Sequence, residues 1–146
     1  MTRAELATQM ARAFNLPERT DAPTNFVDIP TAYWATDGIQ AAVKMGFMQG
    51  YPNAVFQPEQ TVPRVQVIAA IAAGLQLQPV DPAMVLPQYA DRIEIPDWAQ
   101  EKVAAAVTAD IISSQPDQTE LRPNQPATRA EVAAMLHAAL VYLGAL

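Results

Sequence analysis

The sequence predicts an all-α fold, a helical bundle built from repeated helix–loop–helix units, and three observations carry that expectation. Apolar residues recur at helical spacing in five stretches, with no convincing period-two strand among them. The tetrapeptide Thr2-Arg3-Ala4-Glu5 returns as Thr128-Arg129-Ala130-Glu131, and a degenerate copy, Pro63-Arg64-Val65-Gln66, lies between them at a period of roughly sixty residues. Thirteen prolines in 146 residues must sit at helix starts and in connections, because an interior proline loses a hydrogen bond and clashes with the preceding turn. Short helices joined by long, proline-stiffened loops follow.

In chain order, the first helix is expected over 2–15, with Leu6, Met10 and Phe14 on one stripe. The second spans 33–45 through Ile39, Ala42 and Val43, and Gly46 is a natural stop after it. Residues 46–60, including Gly50-Tyr51-Pro52-Asn53, are turn-rich and read as a loop. A third helix covers 63–75 with Val67, Ile68, Ile71 and Leu75, and a short turn falls near 82–86. The fourth long helix, 98–109, carries Val103, Ala106 and Val107; the last, 128–143, carries Val132, Met135, Leu136, Ala139, Leu140 and Leu143. Short pairings within loops are expected near Val55-Phe56 and near Leu121.

A second motif repeats in the same frame. Phe26-Val27-Asp28 followed by Trp34-Ala35 matches Tyr89-Ala90-Asp91 followed by Trp98-Ala99. Beyond each tryptophan helix comes Gly46-Phe47-Met48 or Asp110-Ile111-Ile112, and then Phe56-Gln57-Pro58 or Leu121-Arg122-Pro123.

Composition narrows the function. A hydrophobic fraction of 51% supports a core, and a formal charge of −6 argues against a nucleic-acid partner. No apolar run is long enough to span a bilayer, so membrane insertion is not expected. Cysteine is absent, which excludes disulfides and thiolate chemistry. The lone His137, inside a helical run, reads as a packed or half-exposed side chain rather than a catalytic one.

The Thr-x-x-Glu pattern is a capping box, which explains Thr2, Glu5, Thr128 and Glu131. It does not explain arginine, a cation placed beside the positive end of a helix in all three copies. Two causes stand side by side. The guanidinium and free helix-end amides can cradle a carboxylate or phosphate, or the arginine pairs with a loop carboxylate such as Asp28 or Asp91. Trp34 and Trp98 are likewise either core wedges or flat platforms for a sugar ring, and Tyr51 can line the same groove. The carboxylates at 28, 37, 91, 94, 97 and 101 suggest helix-end and loop charges more than a glycosidase pair.

Together these residues resemble the S-layer homology family, whose units share the aromatic-x-Asp opening, the Trp-Ala helix, the Gly-aromatic loop, the aromatic-x-Pro step and the Thr-Arg-Ala-Glu helix. The resemblance covers the chain from Thr2 to about Leu143 and implies one domain over 1–146. Residues 1–20 would be the C-terminal half of a first unit, 24–78 the second and 87–146 the third. It further implies a pseudo-threefold, spindle-like arrangement with grooves between repeats that hold pyruvylated cell-wall polysaccharide. Carried over position by position, it nominates Arg3, Arg64 and Arg129, with Trp34, Trp98, Asp28, Asp91, Gly50 and Tyr51, as ligand-binding residues. No catalytic residue, metal or cofactor is implied. The partner would be cell-wall polysaccharide or peptidoglycan-linked glycan, and the location the cell envelope if the chain is a fragment of a secreted protein. The sequence shows no signal peptide, which leaves the cytoplasm open.

The chain departs from the family pattern in three places. The middle copy lacks threonine and glutamate, so Thr61 is expected to cap its helix with Pro63 in the first turn. The second Gly-Tyr element becomes Ser114-Gln115. Three arginine helices face two tryptophan helices, leaving apolar surface for a second copy or another chain. The alternative function is therefore an assembly module whose sugar grooves have degenerated.

Overall fold

The computed structural model describes residues 1–112 and 119–146, and helices dominate it. In chain order they are α1 (Arg3–Ala13), α2 (Thr36–Lys44), α3 (Arg64–Gly74), the single turn α4 (Pro82–Val85), α5 (Gln100–Thr108) and α6 (Arg129–Tyr142). Three 3-10 turns, Leu86–Gln88, Arg92–Glu94 and Asp97–Ala99, lie between α4 and α5. Extended pairing among the described residues is limited to isolated bridges, Thr2 with Thr61, Tyr51 with Val55 and Pro63 with Pro126. The all-α expectation holds. No helix among the described residues is long and apolar enough to cross a membrane.

The chain divides into two compact units, Met1–Val62 and Pro63–Leu146. The division cuts across the sequence repeats, so each unit joins the arginine helix of one repeat to the tryptophan helix of the next. In the first, α1 packs on α2. Its core gathers Leu6, Met10, Ile39, Val43 and Phe56, all at most 1% exposed, and Phe14 stacks on Phe47 at 4.9 Å. In the second, α3 packs on both α5 and α6, around Val67, Ile68, Ile71, Val103, Ile111 and Val132.

The helix ends repeat as faithfully as the motifs. After α2, Gly46 takes a left-handed φ of 85°, its amide donates to Val43 O and the Phe47 amide to Ala42 O. That is a Schellman ending, in which left-handed backbone lets two trailing amides satisfy orphan carbonyls. Asp110 does the same after α5 with φ 61°, its amide reaching Val107 O and that of Ile111 reaching Ala106 O. Aspartate tolerates this conformation better than most residues.

Both expected tryptophan helices start later than their periodicity suggests. Left-handed Ala32 and the bond from the Tyr33 amide to Pro30 O hold 30–35 in turns, and Asp97–Ala99 is 3-10 rather than α. The cap expected for the third helix is also different. Pro63, not Thr61, occupies the N-cap of α3 and makes no side-chain bond there, whereas Thr61 bridges to Thr2. The Ser114-Gln115 substitution lies outside the described residues.

Candidate functional site

Both capping boxes form: Thr2 and Thr128 accept from the amides of Glu5 and Glu131, whose carboxylates return to the N-cap amides. The remaining amides at the start of α1 are already used. Arg3 N donates to Gln60 O and Ala4 N to Pro58 O, both at 2.9 Å. In α3, Arg64 N donates to Gln125 O at 2.9 Å and Val65 N to Pro123 O at 3.0 Å. An anion cradle of free helix-end amides, one of the two readings of the motif, is therefore closed in α1 and α3 by loop carbonyls. The same bonds explain how α3 manages without threonine or glutamate: the loop supplies acceptors that a cap would otherwise supply.

The arginine side chains hold the same loops. Arg3 Nε donates to Phe56 O at 2.8 Å and Nη2 to Gln49 O at 2.7 Å. Arg64 Nε donates to Leu121 O at 2.9 Å. Opposite each arginine stands the aspartate of the repeated aromatic-x-Asp motif. Asp28 accepts from the amides of Phe56 (2.9 Å) and Gln57 (2.7 Å), and Asp91 from those of Leu121 (2.9 Å) and Arg122 (2.8 Å). A cation grips the carbonyl of one residue while an anion grips its amide. Gln57 and Arg122, next in sequence, share a left-handed φ of 58° and 52°, and their amides donate to the same carboxylates. The arginine thus pairs with the aspartate through a peptide rather than directly. This clasp accounts for the arginine and aspartate motifs at Arg3 with Asp28 and at Arg64 with Asp91, and it commits both aspartates to main-chain amides.

Around this shared clasp the two sites differ. In the first unit the Arg3 guanidinium lies against two rings, 4.7 Å from the centroid of Tyr51 and 4.5 Å from that of Phe56, a cation–π arrangement. Burial lowers its pKa, with Tyr51 and Asp28 acting in the opposite sense, and the group stays charged. Two of its five N–H donors are used by carbonyls. No buried side-chain nitrogen among the described residues lacks a partner, so Nη1, which makes no bond there, reaches solvent although the residue is only 7% exposed. The same unit holds a cavity of about 370 Å³ lined by Phe26, Met48, Gln49, Gly50 and Tyr51 among others; Arg3 does not line it and reaches its wall only through Gln49 and Tyr51. Gly50 lets the Phe26 ring approach closely: a Cβ at that position would lie 2.3 Å from the ring, which would have to shift.

In the second unit Arg64 meets a carboxylate of its own chain. Its Nη1 lies 2.9 Å from Glu131 Oε1, and Arg122 Nη2 approaches the same oxygen at 3.1 Å. Burial alone would raise the Glu131 carboxyl, but the Thr128 amide and the Arg64 guanidinium outweigh it and hold it below its ordinary value. A pocket of about 290 Å³ lined by Asp91, Glu94, Glu120, Arg122, Asn124 and Gln125 lies in this unit.

Of the nominated residues, Arg3, Asp28, Gly50 and Tyr51 come together in the first unit, and Arg64 and Asp91 in the second. Trp34 and Trp98 are 61% and 55% exposed, so the core-wedge alternative falls for both. Arg129 is exposed at the start of α6, and His137 is exposed on the same helix. Sequence reasoning missed Gln49 and Phe56, which act through carbonyls that any residue carries. It also missed Glu131 as the partner of Arg64, having assigned it to the capping box alone. The replacement of Gln57 by Arg122 at the matching repeat position was the available signal.

Similarity to known proteins identifies the family of the chain. The S-layer homology domain family model matches residues 25–75 and 88–133. "S-layer protein sap" of Bacillus anthracis is 32% identical over 133 residues, covering 91% of this chain and 16% of that protein. "Amylopullulanase" of Thermoanaerobacterium thermosulfurigenes is 29% identical over 142 residues, 96% of this chain and 8% of the relative. "Cellulosome-anchoring protein" of Acetivibrio thermocellus is 29% identical over 111 residues, 73% of this chain and 24% of its own length. The chain therefore spans a quarter or less of these relatives. With both of its tryptophan-to-arginine repeats matched, the chain belongs to the S-layer homology domain family.

Proposed function

We propose that this chain is a non-catalytic module that attaches proteins to the bacterial cell envelope by binding acidic, pyruvate-ketal-bearing cell-wall polysaccharide. Arg3 is the observation that carries the reading. Its guanidinium is oriented by two carbonyls and two aromatic rings, and its remaining N–H donors suit a carboxylate. Gly50 and Tyr51 border an uncharged cavity, and Tyr51 also faces the guanidinium, which suits a sugar ring attached to that carboxylate. Trp34 supplies an exposed aromatic face on the same unit. In this reading Asp28 and Asp91 hold the loops that orient the arginines, Arg129 and Trp98 are the corresponding groups in the remaining copies, and Arg64, paired with Glu131, is not counted among the ligand-binding groups. The relatives named for S-layers and cellulosome anchoring are consistent with attachment, and the amylopullulanase, most of which lies outside the match, is consistent with a module joined to a separate catalytic part.

Sedimentation with purified cell-wall sacculi tests this. Saturable binding to native wall is expected. It should fall at least about tenfold in Trp34→Ala and Arg3→Ala proteins of unchanged circular dichroism, the loss of a charged hydrogen bond or a stacking face, and on depyruvylated wall. Equal retention on native and depyruvylated wall would refute the ligand assignment.

One observation favours an assembly role as a second reading. Ala4 and Ala7 in α1, and Val65 and Ile68 in α3, are buried, yet Ala130 and Ala133 at the matching positions of α6 are exposed. A self-associating protein would show a concentration-dependent mass by light scattering, and a monomer that binds wall glycan would count against this role.

A further inference from the structure

We propose that Glu131 fills, from within the chain, an anion site formed by Arg64 and Arg122, so that the second unit is silent toward acidic ligands while the Arg3 site stays open. The proposal rests on the reading above only for the chemical nature of the ligand.

The two clasps supply an internal control. Each arginine spends Nε on the carbonyl of the clasped residue. Beyond that bond, Arg3 meets Gln49 O and aromatic faces and makes no ion pair among the described residues. Arg64 instead meets a carboxylate oxygen at 2.9 Å, which is the group an acidic sugar would bring. Arg64 is buried while its partners reach solvent: the side chains of Arg64, Glu131 and Arg122 are 5%, 21% and 38% exposed. The plug is also held at its other end, because Glu131 Oε2 accepts from the Thr128 amide at 2.9 Å. A ligand must therefore compete with a carboxylate tethered at an effective concentration of at least the order of millimolar. The middle copy carries Gln66 at the position of Glu131, so this anionic group is not a fixed part of the repeat.

Glutamine at 131 can keep the capping bond, since the capping box accepts Gln as well as Glu. Its amide nitrogen then faces two guanidiniums as donor against donors, leaving both in need of an acceptor. Inorganic sulfate is the probe that isolates this site from any question of glycan. Followed through the Nε–H resonances of Arg64 and Arg122, sulfate should bind Glu131→Gln at least about tenfold more tightly than wild type. Equal binding overturns the proposal. A methyl glycoside carrying a pyruvate ketal is tested alongside. It should bind wild type at one Arg3-dependent equivalent and Glu131→Gln at two, and Arg64→Gln should leave the wild-type equivalent intact. Loss of that equivalent in Arg64→Gln also overturns the proposal, without requiring Glu131→Gln to fold. If sulfate gains its site in Glu131→Gln but the glycoside binds no variant, the plugged anion site stands and the polysaccharide reading fails.

Discussion

Asp28 carries two main-chain amides on one carboxylate, those of Phe56 and Gln57, and no backbone carbonyl can substitute for an acceptor of that reach. Asp28→Ala is expected to cost about 2–3 kcal/mol, since two donors of a partly buried loop lose a charged partner. Asp28→Asn should cost roughly half as much, its single carbonyl accepting one bond while its amide group opposes the other. Urea unfolding monitored by circular dichroism measures both, and equal stability of Asp28→Ala and wild type would contradict the clasp. The residue types of the clasp were legible in the sequence, because aspartate and arginine recurred in both repeats. Their mutual relation was not. The peptide between them belongs to Phe56 or Leu121, and a hydrogen bond to main chain leaves no mark on residue identity.

Helices meet at distances that single atoms decide. A Cβ on Gly38 of α2 would stand 2.9 Å from the Cα and Oγ1 of Thr8 in α1. Intrinsic propensity favours alanine over glycine by about 1 kcal/mol, but overpacking against backbone costs about 1–3 kcal/mol, so Gly38→Ala should destabilise the protein on balance. A raised melting temperature would show that α1 and α2 can separate slightly at no cost. At the start of α6 the controlling quantity is charge. The Glu131 carboxyl is held below its ordinary 4.5, so its contribution to stability is complete above that value and is lost as pH falls through the lower, folded-state pKa. The stability gap between wild type and Glu131→Gln should accordingly be flat from neutral pH down to about 5 and close at lower pH; thermal melts across that range measure it, and a gap that widens on acidification would reverse the sign. Helix positions were readable from periodicity because each buries one stripe. The starts of α2 and α5 were not, since Ala32 and the 3-10 turn at Asp97–Ala99 depend on local backbone geometry rather than on pattern.

Across the whole chain, the two compact units carry one tryptophan each, and both indoles are more than half exposed. Emission from the folded protein should therefore already lie near that of the unfolded chain and be readily quenched by acrylamide. A strongly blue-shifted, protected spectrum would mean that these rings are covered, either by self-association or by rearrangement. Trp34→Phe and Trp98→Phe assign the signal to a unit. Family membership was legible early because aromatic, acidic and basic landmarks recur in one order, whereas the boundary at Val62 and Pro63 was hidden, since it runs through the middle of a repeat. The clasp also bears on redesign. Charged groups seize only the backbone of the residue between them, and a phenyl ring fills that station in one unit where an isobutyl group fills it in the other. The lock reads only main chain, so packing sets the side chain at its centre: Phe56 is fully buried and its ring faces the Arg3 guanidinium, and an apolar replacement of similar bulk there would retune the floor beneath the arginine without unfastening the loop.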